Sequence, residues 1–152
     1  MNQSDWEART IHTYDTFAEE WAATHTSTGY ASPVMKKFQA LLPTGSVLEI
    51  GSGGGRDAAD LMRLGYDYLG TDVSPGMLKV ARAATPQATF QQCSVYDLPS
   101  LGRVFDGFWA AAVLLHIPKS RVDEALQAID KVIKPGGIGF ITLKGGNNGK
   151  ED

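Results

Sequence analysis

The chain has 152 residues, 43% hydrophobic and 20% charged, with 14 Lys and Arg against 17 Asp and Glu for a formal charge of −3. This balance is ordinary for a globular fold and excludes wholesale disorder and the basic footprint of a dedicated nucleic-acid binder. The single cysteine, Cys93, excludes an internal disulfide and a four-thiolate zinc site.

Length predicts one domain over residues 1–152, and a chain of about this size buries roughly 68–70% of its unfolded surface. The opening residues MNQSDWEARTIHTYD hold no apolar leader, and no run approaches the roughly 20 apolar residues of a membrane span. The cytoplasm is the expected compartment, with no membrane partner.

Residues 1–42 lack strand signals and read as a helical cap. Tyr14, Phe17, Ala18, Trp21 and Ala22 fall on one helical stripe, with Asp15, Glu19 and Glu20 largely opposite. Ser32-Pro33, an N-cap followed by proline, opens a second helix that is expected to bury Val34, Phe38 and Leu41 and to end at Pro43. From residue 43 to 144 the pattern alternates strand, turn and helix. Ser46–Ile50 is a short apolar strand ahead of a glycine cluster, and a helix from Asp57 to Leu64 stops at Gly65. Tyr66–Thr71 is a second strand, Ser74-Pro75 opens a helix carrying Met77, Leu78 and Ala81, and Thr89–Cys93 is a weaker third strand. Phe105–Val113 is almost continuously apolar, as a strand buried on both faces should be. Val122, Leu126, Ile129 and Ile133 mark a helix that Pro135-Gly136-Gly137 stops, and Ile138–Leu143 is the fifth strand. The glycine-rich tail at 145–152 is expected to be mobile. Alternating strands and helices predict an α/β fold: a Rossmann-like, doubly wound parallel sheet in the order 3-2-1-4-5.

The strongest local signal is Glu49-Ile-Gly51-Ser52-Gly53-Gly-Gly55 between a strand and a helix. Glycines there allow a ligand to approach the backbone closely. Asp72 follows Gly53 by 19 positions, the spacing at which a carboxylate accepts both hydroxyls of a ribose. The dinucleotide pattern G-x-G-x-x-G needs a third glycine where this chain has Arg56, and Glu49 before the loop suits a cationic ligand better than a diphosphate. S-adenosylmethionine carries an ammonium and a sulfonium and no phosphate. A nicotinamide oxidoreductase remains the alternative enzyme class.

The blocks VLEIGSGGGRDA, GYDYLGTDVSPGML, FDGFWAAAVLLHIP and IKPGGIGFITLKGG, in this order, resemble a class I S-adenosylmethionine-dependent methyltransferase. The details GRDA and LLHIP are similar to small bacterial enzymes of the tellurite-resistance type. The resemblance implies S-adenosyl-L-methionine as cofactor, S-adenosyl-L-homocysteine (SAH) as product and a small-molecule methyl acceptor. It implies that Gly51, Ser52, Gly53 and Gly55 pass under the methionine moiety, that Glu49 supports its ammonium, and that Asp72 holds the ribose. Val73 and Met77 would wall the adenine, Met77 having a plain core role as its alternative. Ser94 stands where relatives often carry an acid for the adenine amino group, the Val95 backbone could read the ring edge, and Ala110 would offer its carbonyl to the ammonium. Arg56 could meet the cofactor carboxylate, while Asp57 suits a helix start on capping grounds. Cys93 reads as a buried filler, Asp97 as a cap and Trp109 as core.

His116 follows the fourth strand, at the carboxyl edge where such sheets bind ligands, and is the candidate base or substrate contact. Its alternative is a loop cap before Pro118. Tyr14 and Trp21 either close over the cofactor as a lid or serve as ordinary helix packing. His12 and His25 read as solvated, and no spacing supports a metal site. Members of the family usually continue with a further helix and a β-hairpin. A chain ending at Asp152 is expected to leave Gly139–Leu143 as an exposed sheet edge able to pair with a second copy, and a binding module with impaired catalysis is the non-enzymatic alternative.

Overall fold

A computed structural model describes residues 3–143; the tail expected to be mobile lies outside the described residues. Three helices come first: α1 (Gln3–Thr16), α2 (Ala18–Thr24) and α3 (Pro33–Leu41). Then follow β1 (Ser46–Ile50), α4 (Arg56–Arg63), β2 (Asp67–Asp72), α5 (Pro75–Ala84) and β3 (Thr89–Gln92). A 3-10 segment, Val95–Leu101, leads to β4 (Phe105–Ala110), and two short 3-10 turns lead to α6 (Val122–Val132) and β5 (Ile133–Ile141). All four strand pairings are parallel and the order is β3-β2-β1-β4-β5, as the sequence predicts.

Every residue of β1 is buried because both faces of the sheet are covered. Leu48 and Ile50 face one apolar cluster with Val95, Leu98, Ala125, Ile129 and Val132. Val47 faces the other, with Met35 and Phe38 of α3, Leu61 of α4 and Leu78 of α5. Period-two alternation along β1 thus places Glu49 on the side of Val47, beneath the helices that follow the glycine loop.

Several local expectations fail. The predicted N-terminal stripe is broken at Phe17, which separates α1 from α2 and is 50% exposed. Among Tyr14, Phe17, Ala18, Trp21 and Ala22 only Ala18 is buried. In α3 the buried face is Met35 and Phe38; Val34 and Leu41 lie outward, one position off the expected stripe. Leu126 of α6 is likewise exposed, and Ala125, Ala128, Ile129 and Val132 face the core. β4 ends at Ala110 rather than Val113, since Ala112 takes a positive φ of 58° that no strand tolerates. The fifth ladder starts at Ile133, and Pro135-Gly136-Gly137 falls inside a register shift between its pairings with Phe105 and Gly107. Proline is tolerated there because β5 is an edge strand among the described residues and the turn needs no ladder hydrogen bond.

Candidate functional site

The carboxyl ends of β1, β2 and β4 open into one cavity of about 550 Å³, within the ordinary range for a small-molecule site. The glycine loop forms its floor. Gly53 has φ 53° and faces open space, and Gly55 has φ 85° with Ala81 of α5 so close that a β-carbon would lie 3.2 Å from its Cα. The first glycine therefore exposes backbone to the cavity, and the second brings two helices together.

Three backbone amides of this loop are already committed. Ser52 N–H donates to Thr71 O at 2.8 Å, Gly53 N–H to Asp72 Oδ2 at 2.9 Å and Gly55 N–H to Ser52 O at 3.1 Å. A pyrophosphate would need such amides as its donors. Asp72 also accepts from Ser74 N–H through Oδ1 at 2.9 Å, so both of its oxygens are oriented at the mouth of the loop. Burial raises the Asp72 carboxyl above the usual range, opposed by the amides of Ser74, Gly53 and Val73. Ser52 is buried in the cavity wall, and its Oγ is the one buried side-chain polar atom without a partner among the described residues.

Glu49 is 3% exposed and accepts from the Tyr68 hydroxyl. Burial pushes its carboxyl well above the carboxylate range, Asp57 and Asp72 add to the push, and the Tyr68 hydrogen bond opposes it. Asp57, at the start of α4, lines the same wall. Its Oδ2 accepts from Trp109 Nε1 at 3.0 Å and its Oδ1 from Arg56 Nε at 3.2 Å. Trp109 is buried, as expected for core, yet its one polar atom reaches the cavity wall. Three carboxylates crowd one end of the site, with the half-exposed Arg56 as the cationic side chain among the lining residues. A cationic ligand group would relieve that repulsion.

Val73, Met77, Cys93, Ser94 and Val95 line the next stretch of wall. Ser94 is the N-cap of Val95–Leu101, its Oγ accepting from Tyr96 N–H at 3.3 Å; Asp97, the expected cap, is exposed in that turn. Burial raises the Cys93 thiol, consistent with an inert filler. Ala110 does not reach the lining: it is buried and its carbonyl accepts from Thr142 N–H, whereas Ala111 and Ala112 face the cavity.

The roof comes from α1 and α2. Tyr14 Oη and His116 Nε2 lie 3.0 Å apart, joining α1 to the turn after β4. Burial and Asp72 raise the Tyr14 hydroxyl above its ordinary range. Trp21 stands edge-on to Tyr14 at 5.4 Å, and His25 stacks on Trp21 at 3.9 Å. Two aromatics of the stripe, Tyr14 and Trp21, therefore face the cavity, while Phe17 does not line it. His25, expected to be solvated, is half-buried in the wall. Its signal was available: Trp21 and His25 are spaced i,i+4, one face of a helix. Glu7 and Tyr96 also line the site without a motif to mark them. Tyr96 Oη donates to Glu7 Oε1 at 2.7 Å and Arg121 to Glu7 Oε2 at 3.1 Å. Among the described residues no helix is long and apolar enough to cross a membrane, and no three His, Cys, Asp or Glu side chains are grouped to hold a metal ion.

Comparison with known proteins agrees with this geometry. Residues 48–141 match the family model described as a methyltransferase domain. An uncharacterized methyltransferase of Synechocystis is 32% identical over 99 residues, 65% of this chain and 47% of that protein. A ubiquinone biosynthesis O-methyltransferase of Azorhizobium caulinodans is 30% identical over 100 residues, 63% of this chain and 39% of its own length. The chain thus spans less than half the length of these relatives. A solved DhpI–SAH complex superposes with a TM-score of 0.67 over 90% of this chain and 69% of that one, at 22% identity, a likeness of fold. None of these separates the tellurite-resistance type from other members. With more than half of its residues inside the family match and the sheet order expected of it, the chain belongs to the methyltransferase domain family.

Proposed function

We propose that the cavity binds S-adenosylmethionine and that the chain directs its methyl group in line onto a small-molecule acceptor. The observation that carries this reading is the pairing of Asp72 with the Gly53 amide in a cavity that also holds the buried carboxylate Glu49. One wall orients acceptor oxygens for a diol, and the other offers negative charge. The used amides of Ser52, Gly53 and Gly55 weigh against a nicotinamide dinucleotide and its pyrophosphate. The unpartnered Ser52 Oγ and the mutual repulsion of Glu49, Asp57 and Asp72 are what a loop built around a cationic ligand would carry when free.

In this reading Glu49 and Asp57 face the cofactor ammonium, Arg56 its carboxylate, Asp72 the ribose, and Val73, Met77, Ser94 and Val95 the adenine. Gly51, Gly53 and Gly55 keep side chains out of its path. The bound cofactor supplies a methyl group already activated on a sulfonium. What the protein adds is orientation and exclusion of water, and well-oriented encounters are worth about 7–11 kcal/mol of barrier. His116, coupled to Tyr14, stands where an acceptor proton would leave and is the proposed base. Tyr14 and Trp21 act as a lid. Homo-oligomer contact is assigned to the β5 edge, where Ile141 is exposed; a concentration-independent monomer in sedimentation velocity would remove that assignment.

The test is calorimetric titration of SAH into wild type and Asp72→Ala. Wild type should bind, and the variant should lose about 10-fold or more, since hydrogen bonds to a charged group are worth about 1.5–3 kcal/mol. Equal affinity in both, or preferential binding of NADH, refutes the assignment.

A further inference from the structure

The acceptor side of the cavity is what remains when the wall assigned to the cofactor is set aside, so the following rests on that reading. It is bounded by α1, α2 and the turn after β4. Four rings run along it in contact: His25 stacked on Trp21, Trp21 edge-on to Tyr14, and Tyr14 edge-on to His116 at 5.4 Å. All four line the cavity. Such a row offers π-faces and ring edges to a flat group.

Charge narrows the class further. The described lining residues hold the carboxylates of Glu7, Asp57 and Asp72, with the buried Glu49 carboxyl beside them, against one guanidinium, Arg56, which is already bonded to Asp57, and the imidazoles of His25 and His116. Glu7 at the far end shares Arg121 with Glu124, so that cation is divided between two carboxylates. A bound cofactor, with two positive groups and one carboxylate, reduces this negative excess without reversing it. An acceptor bearing a carboxylate or phosphate would enter a field of its own sign, and the one Lys or Arg side chain among the described lining residues, Arg56, is already paired with Asp57. A cation, by contrast, is attracted both by the field and by the aromatic faces of Trp21 and Tyr14.

We propose that the methyl acceptor is an alkylamine attached to a flat ring, admitted as its ammonium form. The Tyr14–His116 pair takes one ammonium proton to free the nitrogen lone pair. That pair forms the N–C bond while the C–S bond breaks with its electrons left on sulfur, giving SAH and a methylammonium product. Two features of the wall thus act together: carboxylates select the charge and the aromatic row selects the shape.

The proposal is tested with tyramine and 4-hydroxyphenylacetate, which share a ring and differ in charge, titrated into SAH-saturated protein. Tyramine should bind at least about 10-fold more tightly, and Trp21→Leu should weaken it about 2- to 30-fold, the span of cation–π contributions. Trp21 is 42% exposed, so its loss leaves the core intact. Equal or tighter binding of the acid, no binding of tyramine, or an unchanged tyramine affinity in Trp21→Leu overturns the proposal. Failure of SAH itself to bind appears in the preceding titration and overturns the cofactor reading instead.

Discussion

Replacing Glu49 by glutamine separates what this carboxylate does for folding from what it does for binding. The side chain is buried at the end of β1, its partner is the Tyr68 hydroxyl, and Asp57 and Asp72 act on it with like charge. Its carboxyl titrates well above the range it has in an unfolded chain. The folded state therefore holds a proton that the unfolded state has released, and stability falls as pH rises from the unfolded carboxylate range toward the folded one. Glutamine keeps an acceptor for Tyr68 and removes the penalty. Glu49→Gln should gain about 0.5–2 kcal/mol near pH 8, the usual return on relieving a functional strain, or about 1–8 °C in Tm for a chain of this size. The gain should shrink toward pH 4, where both side chains are neutral. Binding should move the other way. A hydrogen bond to a charged group is worth about 1.5–3 kcal/mol, so SAH affinity should drop about 10- to 150-fold. Wild-type affinity should also rise with pH as Glu49 ionises against the ligand ammonium. Thermal melts by circular dichroism at pH 4 and pH 8, with calorimetry of SAH at pH 8, read both effects. A variant that melts lower than wild type at pH 8, or binds SAH as tightly, refutes the argument.

Three further outcomes follow from individual contacts. Trp109→Phe removes the donor to Asp57 Oδ2 and part of a buried ring packed on Phe38 and Phe140. It should weaken SAH binding several-fold by calorimetry, about 1 kcal/mol, and cost about 1–2 kcal/mol of stability through the cavity it leaves. Ser74→Ala deletes the cap on Met77 N–H at the start of α5 and the hydroxyl that donates to Asp15. It should cost about 1–2 kcal/mol in chemical denaturation and speed limited proteolysis within α1. Gly107→Ala places a β-carbon 2.6 Å from Ile138 O and 2.7 Å from Leu42 Cδ2 between β4 and β5. A backbone oxygen cannot yield cheaply, so a loss of about 2–3 kcal/mol is expected in the same denaturation measurement.

The sheet was legible because its signals are local and redundant. SVLEI, the glycine loop, a capped proline at Ser74-Pro75 and the apolar FDGFWA each fix an element on their own, and parallel order follows from crossovers of one hand. The helix faces were less legible. In α3 and α6 the true stripe uses Met35, Ala125 and Ala128, small or flexible residues whose apolar signal is weaker than that of Val34, Leu41 and Leu126 beside them. The fifth strand escaped at its start because Pro135-Gly136-Gly137 carries every mark of a stop, yet a bulge on an edge absorbs all three.

The site divides along the same line, and for a physical reason. Its cofactor wall is made by elements close in sequence, with Gly53 and Asp72 only 19 residues apart, so a spacing rule finds it. Its acceptor wall is made by contacts that span the chain: Tyr14 to His116 across 102 residues, Tyr96 to Glu7 across 89 and Arg121 to Glu7 across 114. None of the side chains of α1 from Asp5 to Thr16 is buried. The helix is therefore held over the cavity by polar ties at Glu7, Tyr14 and Asp15 and by little apolar area. Apolar periodicity cannot report such an element, because burial does not hold it. Polar ties at a cavity roof also exchange readily with water, so the segment that sequence patterning places least well is the one best able to open for a ligand.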